Sequence, residues 1–191
     1  MEIADTSWSS PLLQELWTER TAARSALEAE VCGMTDGQLG FRPAADRWSI
    51  GEILDHLCLS ERSITRTVSR LFQQAAGLSQ IWIAVDGDPF DAAIDRDLYA
   101  RPAAAPDSVR PSPERPLELL LGDLVESRER FEEVARRVDG KAVGPVRLPH
   151  FQLGPLHLFQ WLAVEGAHEA KHLAAIRRIK ADPHFPGVRS E

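Results

Sequence analysis

The sequence predicts an all-α fold, an up-down bundle of four long helices in one domain over residues 1–191. Three observations carry that prediction. Four segments repeat apolar residues at the three-to-four spacing of a helix face. Cap and stop residues bracket them. Strand-like alternation is almost absent, and the run Ser79 to Val85 is the one short β-like stretch.

The first helix begins at Ser10-Pro11, an N-cap followed by proline at the first helical position. Its apolar positions include Leu13, Leu16, Trp17, Ala23, Leu27 and Val31, and Gly33 stops it. The second has the best-marked start. Ser49 and Glu52 form a capping box, and Trp48 with Ile53 fit the hydrophobic staple around it. Its inner stripe runs Ile53, His56, Leu57, Ser60, Ile64, Thr67, Val68, Leu71.

From about residue 77 to 116 the pattern fails, and prolines cluster at Pro102, Pro106, Pro111, Pro113 and Pro116. This reads as a long connection with short helical turns near Asp91 to Tyr99. Trp82, Phe90 and Tyr99 predict that it packs against the bundle, over one end. Connections of this length inside one compact domain are usually functional or partly disordered.

The third helix starts near Pro116, shows Leu117, Leu120, Leu121, Leu124, Phe131, Ala135 and Val138, and stops at Asp139-Gly140. Lys141 to Pro155 carries turn signals and reads as a second connection. The fourth helix runs from about Leu156 to Lys180. Its inner stripe is Leu158, Trp161, Leu162, Glu165, His168, His172, Ile176, Ile179.

Composition narrows the function classes. Hydrophobic residues make up 43% and charged residues 27%, as in ordinary soluble domains. The net charge of −7 argues against a nucleic-acid surface. No apolar stretch approaches the roughly 18 residues of a membrane span. Neither a signal-peptide pattern nor a disulfide framework is visible, because Cys32 and Cys58 are too few and read as small buried residues. A reducing, cytoplasmic setting is the expectation.

The chemistry rests on three histidines. His168 and His172, at i and i+4, share one helix face, and His56 occupies an inner stripe of another helix. Burying three imidazoles without partners costs a few kcal/mol, roughly 1–3 for each polar group left unsatisfied. One shared divalent ion removes that cost, and a three-nitrogen set leaves open positions.

His168-Glu169-x-x-His172 also spells the zincin protease signature, with Glu169 as general base. The context argues against it. The extended form needs glycine at 175 and histidine at 178, where this chain has Ala175 and Arg178, and no sheet edge is available for substrate. The remaining candidates have plainer explanations. Glu52 belongs to its cap. Glu165 either orients His168 or faces solvent. His157 and His184 read as surface residues, and Trp48 and Trp161 as core or staple aromatics. Arg177, Arg178 and Lys180 suit a helix C-terminus.

Phe41-Arg42-Pro43, followed by Trp48-Ser49-Ile50-Gly51-Glu52-Ile53-Leu54-Asp55-His56-Leu57, resembles the first signature of the DinB-like superfamily. Pro149-His150-Phe151, Gly154-Pro155-Leu156, Trp161-Leu162 and His168-Glu169-Ala170-Lys171-His172-Leu173 resemble its second. The resemblance implies a four-helix bundle with a divalent metal, nickel or zinc, on His56, His168 and His172, and a structural place for His150 near the site mouth. It also implies a homodimer and a thiol S-transferase or thiol-dependent isomerase activity. The substrates would be a low-molecular-weight thiol and a small-molecule electrophile, the latter beneath the 77–116 connection. A metal-dependent hydrolase, and a non-enzymatic stress-linked binding module with a structural or residual metal site, are the rival readings. The long Pro-rich connection departs from the compact family pattern.

Overall fold

The computed structural model describes residues 7–79, 81–83, 92–112, 115–143 and 146–187. Four long helices form the bundle: α1 (Pro11–Val31), α3 (Ile50–Gly77), α5 (Leu117–Val138) and α6 (Leu158–Lys180). Two one-turn helices, α2 (Asp36–Gly40) and α4 (Arg96–Ala100), and a 3-10 turn at Asp107–Val109 sit in the connections. α3 packs against both α5 and α6, and α6 also packs against α1.

The caps form as their residues require. The Ser10 hydroxyl accepts from the Leu13 N–H at 3.3 Å. Ser49 accepts from the Glu52 N–H at 3.2 Å while Glu52 accepts from the Ser49 N–H at 2.8 Å, which closes the capping box and fixes the start of α3. Gly33 takes the left-handed conformation, φ +72, that ends α1.

The connections hold more order than turn signals suggest. β1 (Ile81–Ile83) pairs antiparallel with β2 (Lys141–Val143), and β3 (Leu148–His150) with β4 (Gly154–Leu156). The segment expected as a plain connection after α5 is therefore largely a hairpin. Pro149 lies opposite Pro155 in it, which a two-stranded ribbon tolerates because each strand has a free edge. Leu156 belongs to β4, and α6 starts two residues later. α4 supplies the helical turn expected near Asp91 to Tyr99, at Arg96–Ala100; Asp91, Phe90 and the side chain of Trp82 lie outside the described residues. Tyr99 is buried in the core, as its aromatic character predicts.

The interior is divided along its length. One apolar cluster gathers Leu13, Val68, Leu71, Phe131 and Leu158; a second gathers Leu27, Leu54, Leu57, Leu124 and Ile176. Each fully buried aliphatic side chain contributes about 1.5–3 kcal/mol. Between the clusters every long helix contributes polar groups: Arg20 and Arg24 from α1, Glu61 from α3, Ser127 from α5, and Glu165 and Glu169 from α6, all buried. Arg20 pairs with Glu61 and Glu165, and Arg24 with Glu169 and, at 3.2 Å, with Glu61. Arg24 also donates to the Leu124 carbonyl at 2.8 Å, and the Ser127 hydroxyl donates to Glu61. Burial and the neighbouring Glu165 carboxylate push Glu169 up to about 7. Among the described residues no helix is long and apolar enough to cross a membrane.

Candidate metal centre

α6 divides its inward face between two tasks. Glu165 and Glu169 turn toward α1 and the ionic layer. His168 and His172, each three residues later, turn toward α3. There the capped start of α3 sets the height of His56, two turns in.

The three imidazoles converge. His168 Nε2 lies 3.1 Å from His56 Nε2 and 3.1 Å from His172 Nε2. One ligand atom from each ring falls within 4.8 Å of the others. Nitrogens bound at about 2.0–2.1 Å to one ion stand roughly 3.0–3.4 Å apart, so two of the three spacings suit a metal directly.

Hydrogen bonding among neutral rings satisfies this arrangement poorly. His56 Nδ1 donates to the Val109 carbonyl at 2.7 Å, which leaves His56 Nε2 as a bare lone pair. A hydrogen on His168 Nε2 has to be shared between His56 and His172 in one three-centre bond, and a hydrogen on His172 Nε2 leaves the lone pairs of His56 and His168 facing each other. Protonation offers no way out. Burial lowers the pKa of all three rings, His172 to about 3 and His168 well below the usual range. His172 Nδ1 is buried without a hydrogen-bond partner among the described residues. A cation facing three lone pairs fits this set, and imidazole ligation suits zinc or nickel.

The surroundings hold the rings in place. Trp48 lies over them, its ring centre 4.7 Å from that of His56 and 6.4 Å from that of His172. Residues 92–112 form a strap beside the site. Lys171 Nζ donates to the carbonyls of Tyr99 and Arg101 at 2.8 and 3.1 Å, and Gln152 donates to the Leu98 carbonyl at 2.6 Å. Asp55, adjacent to His56, accepts from the Ser112 N–H and from Arg115, each at 2.7 Å. Beneath the strap a cavity of about 1080 Å3 reaches the three histidines, with Tyr99, Trp161 and Val164 in its wall. The placement of a pocket under the 77–116 connection thus matches its described part.

The other sequence candidates sort as follows. His150 lines the cavity and its Nδ1 accepts from the N–H groups of Gln152 and Leu153, both at 3.2 Å, so it shapes the turn at the mouth. Glu165 does neither of the things expected of it: it is buried and paired with Arg20 rather than turned to His168 or solvent. Glu169 is committed to Arg24 in the core, which also removes it as a zincin base. His157 is buried at the N-cap position of α6, not on the surface, because its backbone N–H is capped by Gln160 at 3.2 Å. Cys32, read as buried, is exposed just past the end of α1; Cys58 is buried, with its thiol directed at the Asp123 carbonyl. Arg177 and Lys180, in the last turn of α6, pair with Glu30 of α1.

Sequence reasoning missed the strap contacts and the ionic layer. Val109 acts through its backbone carbonyl and leaves no side-chain signal. Asp55, Arg20 and Arg24 did leave one: each is a charged residue on an otherwise apolar stripe, the same signal that singled out the histidines.

Three comparisons place the chain among known proteins. A family model described as the DinB superfamily matches residues 20–176. The uncharacterized protein YuaE of Bacillus subtilis is similar at 27% identity over 158 residues, which span 79% of this chain and 88% of that protein. Among solved structures, TT2238, described as a four-helix bundle protein, matches with a TM-score of 0.58 at 21% identity, over 87% of this chain and 98% of that one.

Proposed function

The chain belongs to the DinB superfamily, and from that premise we propose that it is a metal-dependent enzyme. In this reading His56, His168 and His172 hold one divalent ion, zinc or nickel, and the reaction transfers a low-molecular-weight thiol to an electrophilic small molecule. One observation carries the reading. The three Nε2 atoms converge at the wall of a large cavity, and among the described residues no fourth histidine, cysteine or carboxylate joins the set. Structural zinc is normally closed by four protein ligands, whereas a catalytic ion keeps a position for its reactant.

An ion in this place lowers the pKa of a thiol or water that reaches it, and thiolate is the reactive form of the thiol. The protein's own groups do the rest. The Val109 carbonyl holds His56 in the tautomer whose Nε2 faces the cavity. Trp48, Tyr99 and Trp161 supply apolar walls that exclude bulk water and strengthen electrostatic attraction inside. Lys171 pins the strap that forms the cavity roof. The reading has the protein act in the reducing cytoplasm, as a homodimer, with no nucleic-acid or membrane partner; sedimentation as a 21.2 kDa monomer would remove the homodimer.

The test is loss of 1-chloro-2,4-dinitrobenzene with and without added cysteine, using protein purified without a histidine tag and assayed for metal. Thiol-dependent loss that disappears with the metal supports transfer. Loss without thiol supports a hydrolase on the same site. A cobalt-substituted protein whose visible spectrum ignores both imidazole and thiol marks a closed structural ion and ends the enzymatic reading.

A further inference from the structure

The cavity is electrostatically unlike the protein that contains it. The whole chain carries a net charge of −7, yet the cavity lining includes three fixed cations, Arg47, Lys171 and Arg178, against one acid, Asp46. The cations differ in commitment. Lys171 spends its donors on two strap carbonyls. Arg47 and Arg178 are exposed, and neither guanidinium pairs with a carboxylate among the described residues, whereas Arg42 pairs with Glu52, Arg110 with Asp107, and Arg115 with Asp55 and Asp123. Unpaired arginines at the rim of a concave apolar site are the usual means of recognising an anionic group, because the planar fork matches a carboxylate, sulfonate or phosphate.

The spacing along α6 gives the ligand a length. His168, His172, Ala175 and Arg178 all line the cavity. Arg178 lies six residues beyond His172, about 9 Å along the helix axis. Ala174 and Ala175 between them keep the floor of this stretch low. Phe151, exposed at the hairpin turn, and Trp161 add aromatic surface to the same cavity. Aromatic lining of a hollow this size offers surface to an apolar body.

We infer that the cavity binds small organic anions, with the anionic group held by Arg47 and Arg178 at the rim and an apolar or aromatic body extending toward the three histidines. Only the position of the ligand's reacting end rests on the metal-site reading above; the grip on the anion does not need the ion. The ligand class is therefore an amphiphilic carboxylate, sulfonate or phosphate ester rather than a neutral compound.

Two fluorescent probes isolate the charge. 8-Anilinonaphthalene-1-sulfonate and N-phenyl-1-naphthylamine share one aromatic body and differ by the sulfonate. Both are titrated into the full-length protein, metal-free and zinc-loaded. The sulfonate is expected to bind at least tenfold more tightly than the neutral amine in both forms. The Arg47→Gln, Arg178→Gln double variant is expected to lose that preference while keeping its helical circular dichroism, its metal content and its affinity for the neutral amine. The single variant Arg178→Lys, which retains the charge, is expected to keep most of the preference and guards against a folding defect in the double variant. Equal affinities in the wild type, or a preference that survives in the double variant, would overturn the assignment. A preference seen only with zinc would also overturn it, since the sulfonate would then be bound to the ion. Absence of metal binding with the preference intact would reject the metal reading and leave the anion site standing.

Discussion

At the scale of single residues, the chemistry lies in which buried polar groups have partners. Three rings whose converging nitrogens are poorly satisfied by neutral hydrogen bonds suit a cation, so the His168→Ala, His172→Ala double variant is expected to lose any metal that the parent protein carries, read by elemental analysis. Metal content unchanged in that variant would remove His168 and His172 as ligands. The ionic layer makes a separate prediction. Removing one partner of a buried pair strands the other, at about 3–5 kcal/mol. Arg24→Met strands Glu169 and is expected to destabilise by that order in urea unfolding. Glu169→Gln leaves a neutral hydrogen-bonding group beside Arg24 and should cost clearly less. If the two variants prove equally stable, the layer is not acting as a set of desolvated pairs.

At the scale of elements, caps and turns set where the ligands stand. The Ser49 cap fixes the first turn of α3, on which His56 depends for its height. Ser49→Ala is expected to cost about 1 kcal/mol, a fall of roughly 2–4 °C in Tm for a chain of this size. The β3–β4 turn offers a pH test. His150 is buried and its pKa is lowered to about 4 by burial and by the Lys171 charge, while its Nδ1 must stay unprotonated to accept two N–H groups. An unfolded histidine titrates near 6.5. As pH falls below that value the unfolded chain takes up the proton first, so stability present above pH 6.5 is lost on the way to pH 4. The slope approaches 1.4 kcal/mol per pH unit for one such group. His150→Asn is expected to flatten that part of the metal-free protein's stability profile, and an unaltered profile would show that the turn does not depend on a neutral ring.

At the scale of the whole molecule, the proposed metal site predicts a link between ion and fold. The three candidate ligands come from α3 and α6, and His56 is tied through Val109 to the strap, so an ion bound there would tie two long helices and the cavity roof together. A ligand that binds only the folded state stabilises it by about 4 kcal/mol at a thousandfold excess over its Kd. Dialysis against a chelator is expected to lower Tm and to raise proteolytic cleavage in residues 92–112, with both restored by one equivalent of zinc or nickel. A Tm indifferent to the chelator in a metal-containing sample would place the ion elsewhere.

The helices and the histidines were legible along the chain because both signals are local. The Ser49–Glu52 box lies within one turn, and His168 with His172 within two, so helical periodicity alone puts the pair on an inward stripe. Meeting His56 across 112 residues was an inference from burial cost and from family resemblance, and only the packing of α3 on α6 brought the three nitrogens to 3.1 Å. Partner choice was likewise decided in three dimensions. Glu165 stands three residues before His168, but one residue is a 100° rotation on a helix and three leave a 60° offset. That offset turns Glu165 to Arg20 of α1 while His168 faces α3. The strap shows the same limit most plainly: its grip on the site runs through the carbonyls of Tyr99, Arg101 and Val109, groups that every residue possesses. Side-chain identity therefore determined the bundle and its candidate ligands, and backbone position, which no residue name encodes, decided how the site is roofed.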